Sequence, residues 1–145
     1  MDELRRAQRL LRYFAIGHKR LERERRRHEL QLRRSRARER ELALRLHAAE
    51  TKTPVQTSAV AARWRGGALD AMRADVRDLA EQQRGIRAEL LANAGELAGS
   101  EGRLKGAQKL LADAMGRHNR RLARIEQAEI DQRASLPPMG EQKRV

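Results

Sequence analysis

"TKTPVQTS", Thr51 to Ser58, is the one strong interruption in a chain that otherwise reads as helix. Pro54 lacks the N–H that a helix interior needs, and its ring clashes with the turn before it. The Thr and Ser residues around it favour turns and caps. Ser58, immediately before "AVAARW", suits the N-cap of a following helix. Gly66 and Gly67 predict either an extension of the turn to residue 67 or a kink at the start of that helix. The next break is "SLPPMGEQKRV", where Pro137 and Pro138 end helicity and a disordered tail is expected. The expected organisation is a first helix over 1–50, a turn over 51–58, a second, longer helix over 59–135 and a tail over 136–145.

Outward from the turn, each side carries a seven-residue apolar repeat. After the turn, Leu69, Val76, Gln83, Leu90, Leu97, Leu104, Leu111, His118 and Ile125 are seven apart, and seven of the nine are apolar. Their companions three residues on run Met72, Leu79, Ile86, Asn93, Ser100, Ala107, Ala114, Arg121 and Ala128, six of nine apolar. Before the turn the same two rows are Leu4, Leu11, His18, Arg25, Leu32, Glu39, Leu46 and Ala7, Phe14, Leu21, His28, Ser35, Leu42, Ala49. Nine of these fourteen are apolar, with charge intruding in the middle. A repeat sustained this long predicts a left-handed coiled coil.

Two such stripes joined by a short turn predict an all-α fold: a long, asymmetric, antiparallel two-helix coiled-coil hairpin. At 1.5 Å per residue the helices measure roughly 70 Å and about 100–115 Å. A turn centred near Pro54 to Ser58 sets Leu4 opposite a position between about Gly106 and Ala114. The rest of the second helix then lacks a partner, although its stripe continues through Met115, Leu122, Ile125 and Ile130. An apolar stripe left over in this way marks a surface that something else covers. Gly85, Gly95, Gly99, Gly102, Gly106 and Gly116 also fall in this helix, each costing about 1 kcal/mol relative to Ala. They predict either a close helix approach, through the four-residue spacings Gly95/Gly99 and Gly102/Gly106, or a bend.

Composition supports helices and little else. Aromatics are 2% of the chain and charged residues 37%, too few of the first for a rounded core. There is no cysteine, which excludes a disulfide framework and a thiolate metal site. No apolar run approaches the ~20 residues of a membrane span, and "MDELRRAQRLLRYFAIGHKR" has no signal-peptide core, so a cytoplasmic protein is expected. His18, His28, His47 and His118 have no partner at a ligand spacing such as HExxH, and their default reading is solvated or at the edge of the seam. A two-helix hairpin offers no pocket. Neither enzymatic activity nor a metal or cofactor is expected.

The net charge is +13, and between Arg23 and Arg40 nine arginines stand against Glu24, Glu29 and Glu39. A basic-zipper DNA reader places Asn among its base-reading residues, and this run has none. No aromatic occurs between Phe14 and Trp64 to stack a base. Charge alone predicts non-specific nucleic-acid binding at low salt. The reading preferred for the run is the solvated outer face of a coiled coil, able to dock on an acidic protein surface. A basic nucleic-acid-binding coiled coil and a structural homodimer joined through the uncovered end of the second helix are the alternatives.

An Arg-Trp pair, Arg63 and Trp64, opens the second helix, and "EIDQRAS" closes it with Glu129, Gln132, Arg133 and Ala134 in a Glu-x-x-Gln-Arg-Ala pattern. With these two patches, the hairpin resembles the FliJ/YscO stalk proteins of flagellar and type III secretion export machines. The resemblance implies a non-enzymatic central stalk or escort, similar to the γ stalk of rotary ATPases. Its two helix ends would sit in the hole of a hexameric export ATPase and stimulate it. The turn would reach the export-gate protein, peripheral to the membrane, and export chaperones would be further partners. On this chain it places Arg5, Arg9, Arg12, Met115, Arg117, Arg121, Leu122, Arg124 and Ile125 at the ATPase, joined by Arg6, Arg120, Leu111 and Ile130. Arg63, Trp64, Leu69, Met72 and Val76 are implied at the gate or chaperone end. The flagellar members carry aromatics around the turn where this chain has Leu69, Met72 and Val76. Trp64 has an equal alternative reading, as a cover for the open end of the hairpin.

Overall fold

The structure, a computed structural model, describes residues 1–52, 58–138 and 140. Two helices account for nearly all of it, α1 (Asp2–Thr51) and α2 (Ala59–Ser135), with no strand among the described residues. No described helix is long and apolar enough to cross a membrane. Pro54 and most of the expected turn fall outside the described residues, as do Met139 and 141–145 of the expected tail. Gly66 and Gly67 neither extend the turn nor unwind the helix start. Both lie inside α2 without positive φ.

The helix ends are closed by local chemistry. Asp2 and Glu3 sit in the first turn of α1, where the exposed N–H groups favour negative charge. Ser58 is the N-cap of α2, its Oγ accepting from the Ala61 N–H at 3.3 Å. At the far end of α2, the Leu136 N–H closes onto the Arg133 carbonyl at 3.3 Å, just before the two prolines.

The chain forms two compact units. One comprises Met1–Gly17 with Ser100–Val145, the other His18–Gly99, and each contains a stretch of both helices. In the His18–Gly99 unit the helices run antiparallel. Glu50 accepts from Arg73 at 3.0 Å, Glu39 from Gln83 at 2.7 Å, and the Leu21 carbonyl from Asn93 at 3.2 Å. Covered positions recur at three- and four-residue intervals. They are His18, Leu21, Glu24, His28, Leu32, Ser35, Glu39, Leu42, Leu46 and Ala49 on α1, and Leu69, Met72, Val76, Leu79, Gln83, Ile86, Leu90, Asn93 and Leu97 on α2, with Glu29, Arg65, Ala74 and Ala80 partly covered beside them. Among the described residues of this unit only Leu32, Leu79 and Ile86 are buried apolar side chains, while Ser35, Gln83 and Asn93 are buried polar ones. Arg25 departs from the repeat, lying exposed and paired with Glu29 at 3.0 Å.

The unit of 1–17 and 100–145 is also antiparallel, with Arg117 donating to Glu3 at 2.5 Å. Ala7, Ala107 and Ala114 are its buried apolar residues. Leu4 therefore lies level with the turn around Arg117, slightly beyond the expected span of Gly106 to Ala114. The cause lies at the start of α2, where every residue from Ser58 to Trp64 is exposed. These residues extend past the packed end of α1, so the pairing is offset towards higher numbers. Leu111 is accordingly half-buried rather than left over.

The helical glycines do not mediate close helix approach. A Cβ built at Gly95, Gly99, Gly102 or Gly106 meets nothing within 4 Å.

Candidate functional site

From Asn119 to Ser135 every residue of α2 is exposed. Leu122 keeps 44% of its surface in solvent and Ile125 48%, although both are large aliphatic side chains. At ~100° per residue, Leu122, Ile125 and Met115 project to one side, while Arg117, Arg120 and Arg124 project to the other and Arg121 borders the two. Glu129 falls within the apolar side, between Ile125 and Leu122, Glu126 flanks it, and Ile130 lies at its edge. The result is a free amphipathic helix with a narrow apolar face and a basic back. Arg5, Arg9 and Arg12 are exposed on α1 in the same unit, and Arg117 is tied to Glu3. An apolar stripe on one helix with nothing packed against it among the described residues can bind a partner that is both greasy and acidic.

At the start of α2 the candidates separate. Arg63 and Trp64 are exposed, and with Gly67 and Ala68 they border a shallow groove of about 460 Å³. Leu69, Met72 and Val76 are half-buried and lie on a different face of α2, in the row that packs on α1. Arg63 and Trp64 are thus the members of this set that offer a free surface. Trp64 is 78% exposed and does not cover the end of the helix pair.

The residue that holds the end together is Arg65. One of its guanidinium nitrogens, Nη2, donates to the Ala49 carbonyl at 2.8 Å and to the Lys52 carbonyl at 2.6 Å. Ala49 lies in the last turn of α1 and Lys52 follows its end, where carbonyls carry the negative end of the helix dipole, and α1 has no basic residue in its own last turn. The sequence signal is a second basic position beside Arg63 and Trp64, but period alone does not point it at α1.

The histidines acquire carboxylate neighbours that spacing did not suggest. His18 Nε2 is 3.3 Å from Glu22 on its own helix. His28 Nδ1 lies 3.0 Å from Glu89 of α2, close enough for an ion pair but out of line for a hydrogen bond. Among the described residues no group of three metal-ligating side chains forms. Ser35 Oγ and Asn93 Oδ1 are buried in the same unit without a hydrogen-bond partner.

No protein-family model, no curated protein and no solved structure matches this chain.

Proposed function

We propose that the chain is the non-enzymatic central stalk of a type III protein export apparatus, working in the cytoplasm at the membrane periphery. On this reading the helices wind as a left-handed coiled coil, and the free end of α2 enters the hole of a hexameric export ATPase. The observation that carries the proposal is the uncovered stretch from Asn119 to Ser135, a preformed helix whose aliphatic side chains have no partner. Leu122, Ile125 and Met115 would be desolvated by the ring, and Arg121, Arg124, Arg117, Arg5, Arg9 and Arg12 would meet its acidic groups. The resemblance in the Arg63–Trp64 and Glu129–Ala134 patches supports the same assignment. Trp64, exposed at the start of α2, is the matching contact for an export-gate protein or a chaperone, with Arg63 beside it.

The energetics suit a coupling element. A few aliphatic side chains moved from half-exposed to buried supply about 1–2 kcal/mol each, enough for specific capture without irreversible binding. The test is the rate of ATP hydrolysis by the purified hexameric export ATPase with and without this chain. Wild type is expected to raise the rate. The double variant Leu122→Ala, Ile125→Ala is expected to lose most of that stimulation while keeping its helicity. Equal stimulation by the two proteins would remove the free end of α2 from the site, and no stimulation by wild type would remove the stalk reading.

A further inference from the structure

The arginine run is the feature the stalk reading leaves unused. Of the nine arginines from Arg23 to Arg40, only Arg25 has an ion pair or hydrogen bond among the described residues. Unpaired guanidiniums on a surface are ordinary, but their placement across the seam is not. Within the His18–Gly99 unit, Arg73 meets Glu50 across the two helices at 3.0 Å. Two heptads further along each helix, the equivalent positions hold Arg36 and Arg87, and both line one groove. Like charges at flanking positions of a helix pair destabilise by about as much as opposite charges stabilise. Arg40 and Arg84 border the same groove and are likewise unpaired among the described residues. Four guanidiniums from two helices therefore frame about 560 Å³, with Glu39, Gln83 and Ala80 completing the lining. Glu39 offsets one of the four charges and leaves the groove positive; its carboxylate accepts from the amide of Gln83 and has no ion pair with an arginine among the described residues.

The lining selects the ligand. Ala80 is the only apolar side chain in it, so the groove lacks the aliphatic or aromatic anchor that protein interfaces use. Phosphodiester binding needs only charge and donors, and a planar guanidinium can hold a phosphate through two N–H groups. No aromatic side chain lies in the groove to stack a base, so recognition is blind to sequence. On the other flank of the seam, Arg27, Arg34 and Arg38 line a second groove of about 610 Å³. It contains the buried Ser35 hydroxyl, a donor without a partner. We propose that the groove framed by Arg36, Arg40, Arg84 and Arg87 holds the phosphodiester backbone of a nucleic acid.

The test is fluorescence anisotropy of a labelled, mixed-sequence single-stranded oligonucleotide titrated with the full chain at several salt concentrations. The variant R36Q/R40Q/R84Q/R87Q is compared with R6Q/R23Q/R77Q/R103Q, each lowering the net charge from +13 to +9. The groove variant is expected to weaken binding at least about tenfold. Four lost phosphate contacts would flatten the slope of log K against log salt by roughly 3. The matched control is expected to weaken binding no more than about threefold. Equal losses in both variants would overturn the proposal in favour of overall charge. Displacement of the oligonucleotide by polyglutamate as readily as by inorganic polyphosphate would overturn it in favour of an acidic protein partner. Ala80→Glu places a carboxylate in the groove without removing any arginine, and the same loss is expected from it. Binding unchanged in Ala80→Glu would count against the groove even if the quadruple variant failed to fold. The stalk reading uses none of the groove residues and stands or falls separately.

Discussion

Asn93→Leu should stabilise this protein, and the reason lies in how α1 and α2 meet. Asn93 is 5% exposed and occupies a seam row whose neighbouring positions hold Leu79, Ile86, Ser100 and Ala107. Its Nδ2 donates to the Leu21 carbonyl at 3.2 Å, a long bond to an oxygen within a helix. Its Oδ1 is buried with no partner. Substitution forfeits one hydrogen bond, about 1 kcal/mol, and relieves an unsatisfied carbonyl that costs about 1–3 kcal/mol. Burying a leucine there adds about 2 kcal/mol. The larger side chain gives some of this back through crowding, about 1 kcal/mol, since the neighbouring Leu21 and Leu90 are only half-buried and can shift. The net expectation is about 2 kcal/mol. For a chain of this length unfolding entropy is about 0.3 kcal/mol per degree, so Tm rises by about 6–7 °C. Thermal unfolding followed by far-UV circular dichroism measures it. A fall in Tm would refute the reasoning, by showing that Oδ1 is satisfied in the folded chain and that the polar layer is stabilising. Asn at such a position also fixes pairing register. The leucine variant should therefore show more self-association in sedimentation than wild type does.

Further perturbations follow from the same contacts. Arg65→Ala removes both donors to the last carbonyls of α1 and should cost about 1 kcal/mol by urea unfolding, discounted for its partial exposure. Arg63→Ala should leave the urea midpoint unmoved. Gly95→Ala together with Gly102→Ala meets no steric obstacle and should raise stability by about 1–2 kcal/mol, read as a higher Tm. A loss instead would mean that the helix needs those residues for a conformation Ala resists.

Much of the packing is legible in the heptads because the side-chain period of a helix fixes which residues can share a face. The rows beginning at Leu4 and Ala7, and at Leu69 and Met72, are covered up to His118 except at Arg25, where Glu24 is covered instead, and a few neighbours such as Ala15, Ala74 and Ala80 are partly covered beside them. The free end of α2 is legible as a length mismatch, yet its starting point is not. That point depends on how far α2 extends past α1 before packing begins, which period does not encode. Leu111, implied at the ATPase end by the resemblance, is half-covered for this reason. The roles of Arg65 and Trp64 were hidden differently. Adjacent helical residues point about 100° apart, so one of two neighbouring polar or aromatic residues can reach back to α1 while the other stands in water. Ion pairs across the seam, such as Arg73 with Glu50, likewise depend on the axial offset of the two helices.

The exposed stretch from Asn119 to Ser135 has a consequence for amide chemistry. Its backbone protons are held by helical hydrogen bonds alone, with no side-chain burial behind them, and a helix of this length without tertiary support is marginal in water. Those amides should exchange with deuterium far sooner than those around Leu79 and Ile86, with the boundary falling near His118. Trypsin should cut first after Arg120, Arg121 and Arg124. Whatever occupies this end in the cell therefore announces itself by slowing exchange and cleavage over these residues, and an occupied end can be recognised without altering a single side chain.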